Sequence, residues 1–373
     1  MRLASYNVEN LFERAKVMNL DSWSEGKPIL SDYAKFNTLI AKDVYSTADK
    51  AAMLNILEKY KMLKAPGSTY FVLRENRGRL MKKETASVDA EIVATGRAGW
   101  IGWLELKKEP VKAVAITNTA RVIKDINADV LGVVEAEDRL GLKHFNKLVL
   151  ASTEIGAEEY RHVMLIDGND ERGIDVAIMS KEGFPIESIQ SHADERAKNG
   201  KPLFSRDCAT YQIKTPKGNT LWVLVNHLKS KGYGSAAESN AKRQAQAKRI
   251  REIYDAIVET HPLVAVIGDL NDTPDSVPLA PLCGSGSPLK DISENLNFDD
   301  GGRPGTYANG TKSNKIDYIL CSPALMATMT EGGIWRMGVW GGTHGTLFPH
   351  YDTIKDKSDA ASDHAAIWAD FDI

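Results

Sequence analysis

Only three cysteines occur in the 373 residues, Cys208, Cys283 and Cys321. They are odd in number, widely spaced and outside any Cys-x-x-Cys or Cys/His pattern, so they read as buried or free thiols in a reducing compartment, with no sign of a disulfide framework or zinc site. No apolar run approaches the ~20 residues of a membrane span. Met1 leads almost directly into LASYNVENLF, without a basic segment followed by an apolar one. As given, the chain reads as cytoplasmic and free of stable membrane insertion; a signal peptide removed before residue 1 would make it secreted or periplasmic. Internal repeats and low-complexity tracts are also lacking. The formal charge of −3 is too small to imply a polyanionic partner by itself. What remains is an ordinary globular composition, long enough for one large α/β domain or two smaller ones.

The charge is unevenly spread. From Lys61 to Lys112 there are eleven Lys plus Arg against six Asp plus Glu. This basic stretch lies in a segment, residues 15–115, that reads as a helix-plus-β-meander subdomain inserted between the first and second strands. Ser46-Thr47-Ala48-Asp49 resembles a capping box, and Met53, Ile56, Leu57 and Tyr60 follow at helical spacing. Tyr70–Arg74, Ala90–Thr95 and Trp100–Leu106 have strand character, with a turn at Asn76-Arg77-Gly78. Trp100 and Trp103 either fill the insertion's own core or join its lysines in a substrate-binding surface.

Outside the insertion, short apolar runs each carry a polar residue at one end. The segment 266–274, VIGDLNDTP, is the clearest: a run that reads as a strand buried on both faces halts at Asp269, Asn271 and Asp272. Taken alone, an Asx turn explains this. The same thing recurs, however: LASY leads to Asn7 and Glu9, VLGVV to Glu135, and WVLV to Asn226 and His227. Asp317 sits near the start of Ile316–Leu320, and Asp363-His364 just before Ala365–Phe371. In an antiparallel or mixed sheet, the ends of some strands and the starts of others share one edge, so all these side chains can meet. Helical patterns over Thr117–Asn127 and Ser235–Glu259 alternate with the strands, giving an α/β or α+β sandwich with helices covering the sheets.

In order, the motifs are ASYNVEN (4–10), VVEAED (133–138), GIDVAIMS (173–180), VNHLKSKG (225–232), GDLND (268–272), KIDYIL (315–320) and SDH (362–364). Together they resemble the endonuclease/exonuclease/phosphatase superfamily, whose best-known members are DNase I-like nucleases. The resemblance implies one domain over 1–373 with 15–115 inserted in it, folded as a four-layer sandwich of two packed mixed or antiparallel sheets flanked by helices. It makes Glu135 the principal metal carboxylate, with Asn7 beside it and Asp363 and Glu9 as further ligands. Asp269 and Asn271 become the pair that activates the nucleophile and holds the phosphate. His364, oriented by Asp317, contacts the scissile phosphate. His227 stands where abasic-site endonucleases usually carry tyrosine, which points away from abasic-site repair.

The chemistry supports these roles independently. Phosphodiester hydrolysis develops charge on nonbridging oxygens, needs an activated water and must stabilise a leaving alkoxide. Magnesium, with manganese or calcium as alternatives, suits a site with one strong carboxylate such as Glu135 and a neutral amide such as Asn7. Histidine can donate to phosphate near neutral pH, and a carboxylate on one ring nitrogen fixes its tautomer. Arg172, Lys229 and Lys231 are the expected phosphate contacts. The glycine-rich stretch 336–350 is expected to border the site, with His344 and His350 not serving as ligands. The expected activity is metal-dependent phosphodiester hydrolysis of a nucleic acid, DNA or RNA, with no obligate protein partner. The alternative is a phosphatase or phosphodiesterase acting on an inositol phosphate, a nucleotide or sphingomyelin.

Overall fold

The computed structural model describes residues 1–20, 23–170, 172–231 and 235–373. The chain divides into two compact units, the larger made of Met1–Phe12, Val111–Lys231 and Ala236–Ile373, and the smaller built on Glu13–Pro110.

Two sheets form the centre of the larger unit. One has seven strands in the order Phe298–Asp299, Met329–Trp335, Ala366–Phe371, Arg2–Asn7, Val130–Ala136, Asp175–Ser180 and His162–Leu165. The other has six: Ile186–Gln190, Cys208–Lys214, Thr220–His227, Val264–Asp269, Asp317–Cys321 and Lys290–Asp291. Strand alternation sorts the apolar residues between layers. Leu3, Val130 and Ile178 from the first sheet meet Val223, Val225, Ala265, Ile267 and Ile319 from the second. Their neighbours face outward. Ala4, Tyr6, Leu131 and Val133 pack on helix Ala113–Ile126, while Leu224, Val264, Val266 and Leu320 pack on helix Ala236–Val258. Each layer is therefore covered, which explains why the central strands read as continuous apolar runs, and each such side chain contributes about 1.5–3 kcal/mol by leaving water. Gly132 lets the sheets approach: a Cβ there would lie 2.5 Å from Ile267 Cδ1. The expected α/β four-layer sandwich is the observed one.

The smaller unit has its own core, including Phe36, Met53, Leu57, Phe71, Trp100 and Leu104. The capping box at Ser46 and Asp49 is formed, and helix Thr47–Lys59 follows it. A second helix, Trp23–Ile40, was not read from the sequence, although Leu30, Tyr33, Phe36 and Ile40 are spaced for one face and all are buried. The strands do not form a sequential meander. Phe71–Arg77 pairs with Ile101–Leu106, and the short pair Met81–Lys82 and Glu91–Ile92 lies between them in sequence, so the hairpins are nested. Trp100 is a core residue whose Nε1 donates to Tyr45 Oη at 2.9 Å, whereas Ile101 and Trp103 stand exposed. Among the described residues, no helix is long and apolar enough to cross a membrane.

Candidate active site

Strand register brings the polar residues together. Thr220–His227 runs parallel to Val264–Asp269, placing His227 opposite Asp269. Asp317–Cys321 runs antiparallel to that strand, placing Asp317 opposite Asp269 on its other side. A strand end, a second strand end and a strand start thus lie in one row, with His227, Asp269 and Asp317 all on the face that looks across the sandwich. On the facing sheet Arg2–Asn7 ends at Asn7, whose Nδ2 donates to Asp269 Oδ2 at 3.3 Å, and Ser362 Oγ donates to Asn7 O at 2.7 Å. His364 N–H donates in turn to Ser362 Oγ, so the SDH segment is pinned to the Asn7 strand.

Glu135 reaches this row only through a backbone irregularity. Val130 faces the sandwich interior, and Leu131 and Val133 face the helix side, so strict alternation would send Glu135 to the helix side as well. Here the pairing with Asp175–Ser180 slips, and Glu135 adopts φ +69°. This bulge reverses the phase. Glu135 Oε1 comes within 3.7 Å of His227 Nε2, and Ala136 returns to the helix side. Glu9, Asn10 and Asn271 also have positive φ, at 50°, 61° and 56°. Each such non-glycine residue costs of order 1–3 kcal/mol, and four of them in the segments that carry this site mark stored strain held by its surroundings. Just before Asp269, Gly268 has φ +123°, and a Cβ there would lie 1.9 Å from Asn226 O.

The three polar residues after VIG have separate tasks. Asp269 Oδ1 accepts Asn271 N–H at 2.8 Å, and Asn271 Nδ2 donates to Leu228 O at 3.2 Å. Asp272 turns away and pairs with buried Arg243 at 2.9 Å and with Lys231 at 2.5 Å, tying the turn to helix Ala236–Val258. Lys231 is thereby an ion-pair partner of Asp272.

His227 and His364 sit in opposite fields. Burial pushes the His227 imidazole well below its ordinary range, and nearby Arg206 and Arg172 push it the same way. Its Nε2 lies 3.6 Å from Asp269 Oδ2, and its Nδ1 has no hydrogen-bond partner among the described residues. Burial also opposes charge on His364, but there the Asp317 carboxylate wins. Asp317 Oδ2 accepts from Nδ1 at 2.8 Å, and the imidazole is raised well above its ordinary range, with Asp363 and Asp269 adding to the effect. His364 Nε2 is left facing Asp363 Oδ1 at 3.7 Å and Asp269 Oδ2 at 4.0 Å. Asp269 is itself raised, by burial first and by Asp317 second.

Beside His227 lies a cationic group. Arg172 and Arg206 both pair with Asp170, at 2.8 and 2.9 Å, and those cations hold the Asp170 carboxyl below its usual range against the effect of burial. Arg172 is thus clamped to Asp170. The Lys229 amine is pushed down to about 7 by burial and then by Arg206 and Arg172.

A divalent cation fits the donor set. Among the described residues, Glu135, Asp269 and Asp317 form ion pairs only with the two histidines. Carboxylate and amide oxygens suit a hard ion that keeps part of its water shell. Asp269, Asp317 and His364 offer ligand atoms within 4.8 Å of one another. That trio is already committed, since Asp317 Oδ2 accepts from both His364 and Thr306 Oγ1. Glu135 and Asn7 are the other oxygen donors that could hold an ion, with Asn7 Oδ1 accepting the Glu9 N–H at 3.0 Å.

Thr306 and Tyr307 escaped the sequence reading. Thr306 Oγ1 donates to Asp317 at 2.6 Å and accepts from Asp317 N at 3.2 Å, and the Tyr307 ring lies 4.9 Å from the His364 ring. Asp363 first and burial second keep the Tyr307 phenol protonated. The PGTY turn preceding the Asp317 strand was the only available signal. Buried Arg206 gave none. Val339 and Phe348 of the 336–350 stretch pack on Ala365, next to His364, while both His350 ring nitrogens face backbone oxygens.

A model of the endonuclease/exonuclease/phosphatase family matches residues 82–333, about two thirds of the chain. The chain belongs to that family. It is accordingly a hydrolase of phosphate ester bonds. The matched span holds Glu135, His227, Asp269, Asn271 and Asp317; Asn7 and His364 lie outside it, and the fold brings them against Asp269 and Asp317. No curated protein sequence matches the chain. Among solved structures, an endonuclease/exonuclease/phosphatase family protein from Bacteroides thetaiotaomicron is 16% identical, with 68% of this chain and 84% of that one covered at a TM-score of 0.50. The mannosyl-6-phosphatase Bt3783 of the same organism is 14% identical (69% and 90% covered, TM-score 0.48), and truncated TDP2 of Caenorhabditis elegans is 18% identical (69% and 91%, 0.47).

Proposed function

We propose that the protein is a magnesium-dependent phosphodiesterase whose substrate is a nucleic acid. The observation that carries this is the pairing of a buried, carboxylate-rich centre with the cations Arg172, Arg206 and Lys229 beside His227. The carboxylates suit a metal ion and a water nucleophile, and Arg172 and Lys229 suit a phosphate flanking the one that is cleaved, with buried Arg206 contributing charge alone. Glu135 and Asn7, with Asp363 and Glu9 around them, would hold the ion, which when bound supplies charge stabilisation for the phosphoryl oxygens. Asp269 is the base toward water, fixed by the Asn271 N–H and Asn7 amide. His364, kept charged by Asp317, donates through Nε2 to the scissile phosphate, and neutral His227 donates to an oxygen of the same group. Arg172 and Lys229 contact phosphate, which restores the lysine's charge.

The test is a substrate panel of plasmid, single-stranded DNA, RNA, bis-p-nitrophenyl phosphate, p-nitrophenyl phosphate and sphingomyelin, with magnesium or with EDTA. Nucleic acid should be cut only with metal and not by Asp269→Asn protein. Exposed Ile101 and Trp103 favour a second reading, a lipid phosphodiesterase. Turnover of sphingomyelin beside intact nucleic acid would establish that reading in place of the first.

A further inference from the structure

The larger unit has a second concave surface, lined by none of the side chains of the row described above. It is a groove of about 480 Å³ where both sheets present an edge strand: His162–Leu165 closes one side of the seven-stranded sheet and Ile186–Gln190 one side of the six-stranded sheet. Val163, Met164, Ile186 and Ile189 give it an apolar floor. The third wall is helix Arg139–His144 with its π-helical continuation Phe145–Leu150. Asn146, buried in that turn, fixes the wall to the opposite loop by donating to Tyr160 O at 2.9 Å and accepting Tyr160 N–H at 3.0 Å.

The polar lining is almost all of one sign. Arg139, Lys143, Lys147 and Arg161 line the groove together with His144 and His162, against one acid, Glu159. Among the described residues, Lys143, Lys147 and Arg161 form no ion pair, although the whole chain carries a net −3. Elsewhere on this unit cations such as Lys112, Lys181 and Arg249 are paired with acids, and those that form no ion pair among the described residues, such as Lys248, Lys290 and Lys312, stand on separate elements. Unpaired cations in a concave wall concentrate positive potential. Arg139, Lys143 and Lys147 follow one another at intervals of four, about one per helical turn and roughly 6 Å apart. The wall also starts four residues after Glu135, at the strand end that carries that carboxylate.

We propose that this groove binds a nucleic-acid strand, holding its phosphates on the Arg139–Lys143–Lys147 stripe and Arg161 while bases or sugars rest on the apolar floor, as a tract flanking the cleaved bond. This rests on the nuclease reading for its purpose, but not for the binding itself. A regular row of cations matches a polymer with a charge on every unit better than a single phosphorylated side chain. A concave groove cannot meet the flat surface of a bilayer.

The test compares wild type with Lys143→Gln/Lys147→Gln/Arg161→Gln, and with a control that loses the same charge elsewhere on the surface, Lys248→Gln/Lys290→Gln/Lys312→Gln. Binding of fluorescein-labelled 30-nucleotide DNA and RNA is followed by anisotropy in EDTA across a salt series, alongside phosphatidylserine vesicles and magnesium-supported turnover of bis-p-nitrophenyl phosphate. The groove variant should bind oligonucleotide about 10- to 100-fold more weakly at low salt, with a log–log salt slope shallower by about 2, while diester turnover is unchanged and the control stays near wild type. Equal weakening in both triple variants, no oligonucleotide binding by wild type, or a loss confined to vesicles would overturn the proposal. A wild type that binds oligonucleotide through the groove yet cuts no nucleic acid would overturn the nuclease reading and leave the groove standing.

Discussion

The two sides of the active-site row use the same residue, histidine, under opposite fields. On the His227 side the guanidiniums of Arg172 and Arg206 add to the effect of burial, and the carboxylates of Asp269 and Glu135 come no nearer Nε2 than 3.6 and 3.7 Å; on the His364 side the carboxylates of Asp317, Asp363 and Asp269 oppose burial. Both rings are buried, so burial alone would make both neutral. A hydrogen-bonded carboxylate at 2.8 Å is what separates them. One fold thereby presents a neutral and a charged imidazole on either side of one aspartate, which neither side chain specifies alone.

The sharpest way to break this comparison is to remove each ring in turn. His364→Ala should lower kcat on bis-p-nitrophenyl phosphate about 10²–10⁴-fold, and Asp317→Asn should approach it, because the charge on His364 depends on that partner. His227→Ala should cost less, about 10–10²-fold, since a neutral donor stabilises developing charge less than an imidazolium. Equal losses from the two histidine variants, in enzymes whose thermal transitions match wild type, would end the distinction.

The next test acts on stability through the cationic side. Asp170→Ala leaves two buried guanidiniums without their shared acid and should cost about 3–5 kcal/mol in urea unfolding, while Asp170→Asn, which keeps some hydrogen bonding, should cost less. Losses below ~1 kcal/mol would mean that Asp170 does not anchor the arginines beside His227.

The smallest effect concerns Asp175, a buried carboxyl near the same side that accepts the Gly168 N–H at 2.8 Å. Burial raises it to about 7, with Asp167 and Asp170 adding to the shift. The folded state therefore holds this proton after the unfolded chain has released it near 3.8. Stability falls as pH rises from about 4 to about 7 and the penalty is then complete, at most a few kcal/mol from about 1.4 per unit. Asp175→Asn should remove that slope, so its stability relative to wild type should improve between pH 5 and 8 in denaturant titrations. An unchanged difference across that window would remove Asp175 as a titrating group.

Much of the architecture was legible because the physics was local. Val264–Ile267 reads as a doubly buried strand because apolar residues occupy both faces, and the spacing of Ala120, Ile123 and Ile126 fixes a helix face. The helix at Trp23–Ile40 is equally legible, from the spacing of Leu30, Tyr33, Phe36 and Ile40. The nested hairpins of the smaller unit could not be read, since pairing between Phe71–Arg77 and Ile101–Leu106 depends on contacts about thirty residues apart, which propensity does not encode.

The sequence by itself determined which residue types stand at the strand ends, and hence that Asn7, Glu135, His227, Asp269, Asp317 and His364 were available for phosphoester chemistry. Local patterning is enough for that, because each lies within a few residues of its own apolar run. Tertiary structure decided the rest. It turned Glu135 inward through a bulge against Asp175–Ser180, sent Asp272 to Arg243 and away from the row, and brought Thr306 onto Asp317 and Arg206 beside His227. These outcomes depend on register and on partners distant in sequence. Protonation followed from them, because the charge on a buried imidazole is set by what the fold places within a few ångströms of it.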